Sequence, residues 1–161
     1  MNFVHQIYLE VTKMIDWESF ENPIDVLKEI HKRLDKSDYR FTGLTATNLY
    51  GYGISTDVFD IAVESDEAVE KACNLLEIPY DGEYDPFLWE NKFFWFRIQG
   101  DIMGEPFIHP HGIKLQSKQL LVRRLEIYGK YCPRTLKACA WIALTQTDEM
   151  AMKYKEYWNQ L

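Results

Sequence analysis

Apolar positions recur at helical intervals from the start of the chain. Val4, Tyr8, Val11 and Ile15 follow at steps of four, three and four, with Ile7 and Met14 beside them. That spacing predicts an amphipathic helix over Asn2–Ile15. Asn22-Pro23-Ile24-Asp25 reads as an N-cap, a proline at the first helical position and an acid in the first turn. Ile24, Leu27, Ile30 and Leu34 carry this second helix on until Asp35-Lys36-Ser37-Asp38 ends it. Tyr39 to Gly53 is apolar with small residues and glycines at 43, 51 and 53, which predicts a short strand, a helix over Ala46–Tyr50 and a tight turn. Val58–Val63 is β-branched and aromatic and predicts a strand. Ser65-Asp66-Glu67 caps a helix through Ala68, Val69, Ala72, Leu75 and Leu76, which Pro79 stops.

The second half alternates in the same way. Asp81–Pro86 is polar and reads as a loop. Lys92–Gln99 holds Phe93, Phe94, Trp95, Phe96 and Ile98, apolar on both faces, as expected of a strand near the middle of a sheet with Phe94 and Trp95 both buried. Gly100–Gly104 turns that strand, and Glu105–Ile108 returns as its hairpin partner. Ser117 caps a helix through Leu120, Leu121, Leu125 and Tyr128, Pro133 opens another through Leu136, Ala140 and Leu144, and Asp148–Leu161 carries one apolar stripe. The fold class this predicts is α+β, a small mixed sheet flanked by helices. No repeat or linker interrupts it, so residues 1–161 are expected to form one domain: N-terminal helices to 38, a sheet core over 39–116 and C-terminal helices over 117–161.

With 161 residues, 47% of them hydrophobic and 27% charged, the chain can bury a core without metals or disulfides. Lys plus Arg number 18 against 25 Asp plus Glu, a net charge of −7. That balance disfavours duplex nucleic acid as a partner. The absence of an apolar run long enough to span a bilayer, and of a basic-then-apolar leader, predicts a cytoplasmic protein without membrane association. Cys73, Cys132 and Cys139 are odd in number and lack a C-x-x-C spacing, which fits reduced thiols. Arg123, Arg124, Lys130, Arg134 and Lys137 form the one basic region, either the outer faces of two helices or an anion-binding face.

Candidate chemistry is sparse. Asp57 and Asp60 bracket the start of the Val58–Val63 strand, but side chains at i and i+3 point to opposite faces of a flat strand. Only a bulge between them would bring both carboxylates to one Mg²⁺. His109-Pro110-His111 is the only histidine cluster, and Asp101 and Glu105 would have to fold back to complete a metal site. Gly51-Tyr52-Gly53 precedes a strand rather than a helix, so it reads as a turn and not as a dinucleotide loop.

Phe41–Val63, FTGLTATNLYGYGISTDVFDIAV, resembles the signature of the minimal nucleotidyltransferase superfamily, in which a strand, a glycine turn and a short helix precede a D-x-D strand. Gly43, Ala46, Tyr50, Gly51 and Asp60 match in type and spacing, and the Ser117–Leu144 region resembles the family's C-terminal helices. The resemblance implies a nucleotidyltransferase-like fold, catalysis and metal binding at Asp57 and Asp60, and nucleotide contacts from Gly43, Thr45 and Arg124. The chain departs from the family at the chemistry. Leu44 replaces a second small residue, Val58 stands where the first metal carboxylate belongs, and Arg97 and Gln99 lie on the strand expected to carry the third. Loss of two of three carboxylates disables two-metal phosphoryl transfer.

The S/T-G-L-T-A pattern without D-x-D also resembles the antitoxin component of abortive-infection toxin–antitoxin pairs, although 38 residues before Tyr39 are too few for the winged-helix domain usual there. These features together predict a degenerate, nucleotidyltransferase-like binding protein. It would be an antitoxin or phage-defence component with a protein partner such as a cognate toxin, and open to homo-oligomerisation. The alternatives are an active Mg²⁺-dependent enzyme moving a nucleotidyl group from NTP to protein or RNA, and a small-molecule or nucleotide sensor that keeps the old cleft. A degenerate site also predicts that Asp60→Asn leaves stability almost unchanged.

Overall fold

The computed structural model describes residues 23–52, 58–85, 88–91, 93–109, 111–123, 137–138, 140–142 and 145. Asp57, Arg124 and the expected helices at Asn2–Ile15 and Asp148–Leu161 lie outside the described residues. Helix α1 spans Pro23–Leu34, with Asp25 in its first turn and His31, Lys32 and Arg33 in its last, each sign complementing the helix dipole. Strand β1 (Arg40–Phe41) leads through Thr42 into helix α2 (Gly43–Leu49), and β2 (Phe59–Val63) into helix α3 (Asp66–Leu75). Ser65 caps α3 as expected, its hydroxyl accepting from the Ala68 N–H at 3.2 Å. Then come β3 (Glu83–Asp85), β4 (Leu88–Glu90), β5 (Phe94–Ile98), a 3-10 turn at Gly100–Met103, β6 (Phe107–Ile108), β7 (Lys114–Leu115) and helix α4 (Lys118–Arg123).

The fold class is α+β. The strands form one mixed sheet of seven in the order β3-β4-β5-β2-β1-β7-β6. β2 runs parallel to β5 and β1 parallel to β7, and the other neighbours pair antiparallel. Strand alternation sorts the side chains onto two faces. Phe41, Ile61, Val63, Phe94, Phe96 and Leu115 join one buried cluster with Val26, Leu27, Ile30 and Leu34 of α1 and Val69, Ala72 and Cys73 of α3. Burial pushes the Cys73 thiol up to about 12, with Asp81 and Glu70 adding to the shift, so Cys73 is a core residue with little thiolate. The other face carries Arg40, Thr42, Asp60, Ala62, Trp95, Arg97 and Gln116, by the registers Arg40↔Ala62, Asp60↔Trp95 and Ala62↔Arg97.

Three expectations are corrected. The segment read as a loop over Asp81–Pro86 contains β3, whose Tyr84 pairs with the buried Trp89 of β4. Three residues are too few to show a period, so the strand is made by its partner rather than by its own pattern. Glu105–Ile108 does return as a strand, but it pairs with β7 and not with β5. Both edges of β5 are already occupied, by β4 and β2. Trp95 is half-buried while Phe94 and Phe96 are fully buried, because only one face of β5 meets the main core. No helix among the described residues is long and apolar enough to cross a membrane.

Candidate functional site

The strand–turn–helix unit from Arg40 to Leu49 lays its turn against β2. The Thr42 N–H donates to the Asp60 carbonyl at 3.0 Å, which continues the β1–β2 ladder to the mouth of α2. Gly43 then takes φ +54°, in the left-handed region. A Cβ on Gly43 would lie 2.9 Å from Asp60 Oδ2 and 3.0 Å from its Cγ, so the carboxylate packs directly over the glycine. Thr45 is 3% exposed, and its hydroxyl accepts from the Asp60 N–H at 2.9 Å and donates to the Val58 carbonyl at 3.3 Å. That side chain staples α2 to β2. Gly43, Thr45 and Asp60, three of the residues that the resemblance implies, are thus adjacent, while Asp57 and Arg124 lie outside the described residues.

Glycine at position 43 answers two demands at once, backbone and contact. Gly43→Ala is expected to cost about 1–2 kcal/mol for the left-handed backbone, and more for the contact with Asp60. In a Gly43→Ala/Asp60→Ser background the carboxylate's share of the second part should disappear, leaving the backbone cost and the 3.3 Å approach to the Cβ of residue 60. Chemical denaturation of the two single variants and the double variant checks this. A Gly43→Ala variant as stable as the parent would place Asp60 elsewhere.

The surroundings of Asp60 are basic. Arg97 comes from β5, two residues beyond the Asp60↔Trp95 pair and so on the same face, and its Nε stands 3.4 Å from Asp60 Oδ1, within ion-pair range. The Arg97 guanidinium also lies 5.5 Å from the Trp95 ring centroid, close enough for a cation–π contact that holds it over the sheet. Asp60 is only 5% exposed, and a buried carboxylate keeps its charge only when a cation or hydrogen-bond donors face it. Across β1 the face continues as a chain of amides and hydroxyls. Thr42 Oγ1 donates to Gln116 Oε1 at 2.6 Å, and Gln116 Nε2 donates to Gln99 Oε1 at 2.7 Å. The Tyr50 hydroxyl donates to the Gln116 carbonyl at 2.8 Å, and burial raises its pKa, so it stays a donor. Arg40 closes the far side, donating from Nε to the Gly104 carbonyl at 2.7 Å.

The Mg²⁺ that the family resemblance implies does not fit the described residues. A cation at Asp60 Oδ1 would sit against the Arg97 guanidinium, and among the described residues no three His, Cys, Asp or Glu side chains cluster as a metal site. The strand position that suits a carboxylate is held by a permanent cation. What the arrangement can do is present a polar, internally neutralised face that recognises by shape and hydrogen bonds. Arg97 and Gln99 were visible in the sequence as departures, whereas Gln116 was missed. No local pattern marks it: the Phe41↔Leu115 pairing of distant strands places Thr42 and Gln116 side by side on one face.

His109 and His111 flank the turn between β6 and β7, with ring centroids 5.8 Å apart. Glu105 is exposed on the approach to that hairpin. Comparison with known proteins found no matching family model, no matching curated protein and no matching solved structure.

Proposed function

We propose that this chain is a degenerate, nucleotidyltransferase-like protein that works by binding, as an antitoxin or phage-defence component with a protein partner, and not by metal-dependent nucleotidyl transfer. The observation that carries the reading is the Asp60–Arg97 pair. Two-metal phosphoryl transfer needs converging carboxylates that are left unneutralised until cations arrive. Here the matching aspartate is buried against an arginine from the neighbouring parallel strand. The antitoxin part of the reading rests on the resemblance over Phe41–Val63, and the acidic net charge of −7 supports a protein partner over duplex DNA.

Thermal unfolding with Mg²⁺ and each NTP tests it. A ligand at a hundredfold excess over its dissociation constant stabilises by about 2.7 kcal/mol, roughly 5–10 °C for a domain of this size. The expected result is no Mg²⁺-dependent nucleotide shift, and no transfer of labelled nucleotide to protein or RNA. A shift of that size, lost in Asp60→Asn, would reinstate the active enzyme. The ion pair changes the expectation for that variant on its own. Asp60→Asn removes the charge facing Arg97, so its melting temperature should fall by several degrees with or without nucleotide, rather than stay near that of the parent.

A further inference from the structure

The β6–β7 hairpin carries two imidazoles that the Asp60 face does not use. The chain leaves β6 at Ile108 and reverses between His109 and Gly112 before β7 begins at Lys114. Two backbone bonds pin the reversal: the Gly112 N–H donates to the His109 carbonyl at 2.8 Å, and the His109 N–H donates to the Ile113 carbonyl at 2.8 Å. Gly112 takes φ +78°, and a Cβ there would stand 3.2 Å from His31 Nε2, so the turn rests against α1. With the backbone held at both ends, the two rings leave the turn with centroids 5.8 Å apart and planes at 39°. Metal–imidazole bonds are about 2.0–2.1 Å long, so two rings on one ion have centroids roughly 5 Å apart. The observed separation lies within about an ångström of that value.

One of the rings also has a nitrogen with nothing to do. His109 Nδ1 is buried and makes no hydrogen bond among the described residues, a condition that calls for a ligand. We propose that His109 and His111 together bind one divalent transition-metal ion, with water in the remaining positions. Imidazole nitrogens select Zn²⁺, Ni²⁺ or Cu²⁺ over Mg²⁺ and Ca²⁺. The site is independent of the cleft and of its proposed function.

Zn²⁺ is the probe, titrated into the full chain and followed by calorimetry and by histidine-ring NMR, with Mg²⁺ as the comparison ion. One Zn²⁺ should bind, with the ring signals of His109 and His111 shifting together and Mg²⁺ giving no shift. Affinity should fall at least tenfold in His109→Ala and in His111→Ala, and hold in His31→Gln. His111 is exposed on a surface turn, so its alanine variant should keep the melting temperature of the parent and separate ligation from folding. Equal Zn²⁺ affinity in the parent and His111→Ala would overturn the proposal, as would ring signals that stay still at millimolar Zn²⁺.

Discussion

Phe96→Ala is expected to lower the unfolding free energy by about 3–5 kcal/mol, and the adjacent Trp95→Ala by only about 1–2 kcal/mol. The contrast follows from the position of β5 in the sheet. The strand is third of seven and hydrogen-bonded on both edges, so its backbone has little freedom to move into a cavity. Phe96 is fully buried, with its ring centroid 5.5 Å from that of Trp89 and 6.2 Å from that of Phe94. Truncation would leave a hole between β4 and β5, lined by rings that cannot all collapse into it. Trp95 faces the other way, half-buried beside Arg97, and part of its surface is already wet. Residue volume alone ranks the two the opposite way, since tryptophan is the larger side chain. Urea denaturation of both variants reads the difference directly. A Trp95→Ala cost above that of Phe96→Ala would mean that the main core lies on the Asp60 face.

That contrast also marks how much of the fold could be read from the chain. Elements whose ends are set by local chemistry came through with their boundaries nearly intact. Pro23 at the first turn and Asp35-Lys36-Ser37-Asp38 at the end delimit α1, and the Ser65 hydroxyl starts α3. β3 and β7 did not come through, because two or three residues acquire strand geometry only from the neighbour they pair with. The two-sided apolar run at Phe93–Ile98 reported a central strand correctly. It could not report that one side meets helices α1 and α3 and the other a polar face, since that depends on contacts distant in sequence. The candidate site divides along the same line. Gly43, Thr45 and Asp60 lie on a contiguous strand–turn–helix–strand unit, so their meeting was legible. The partner of Asp60 comes from β5, dozens of residues later, and is set by the parallel β2–β5 register. Gln116 reaches Thr42 through the parallel β1–β7 pair, across a still longer loop. Nothing local announces either contact.

The Asp60–Arg97 pair should show itself most clearly in a double-mutant cycle. Arg97→Ala removes a cation that stands within ion-pair range of a carboxylate that is 5% exposed. Breaking a buried pair from one side costs about 3–5 kcal/mol, because the remaining charge can neither hydrate nor find a counter-ion. The Arg97 side chain is 19% exposed, so water reaches the site and places the expected cost near the lower end of that range. Asp60→Ala alone should cost less, since the guanidinium retains the Trp95 ring beneath it and some access to solvent. Combining the two changes removes the stranded carboxylate, and the double variant should be more stable than the sum of the single losses predicts, by at least about 1 kcal/mol. The cycle is run by chemical denaturation at neutral pH and low salt, where screening is weakest. Strict additivity would show that Arg97 does not neutralise Asp60. The chief argument for a binding protein over a metal-dependent enzyme would fall with it.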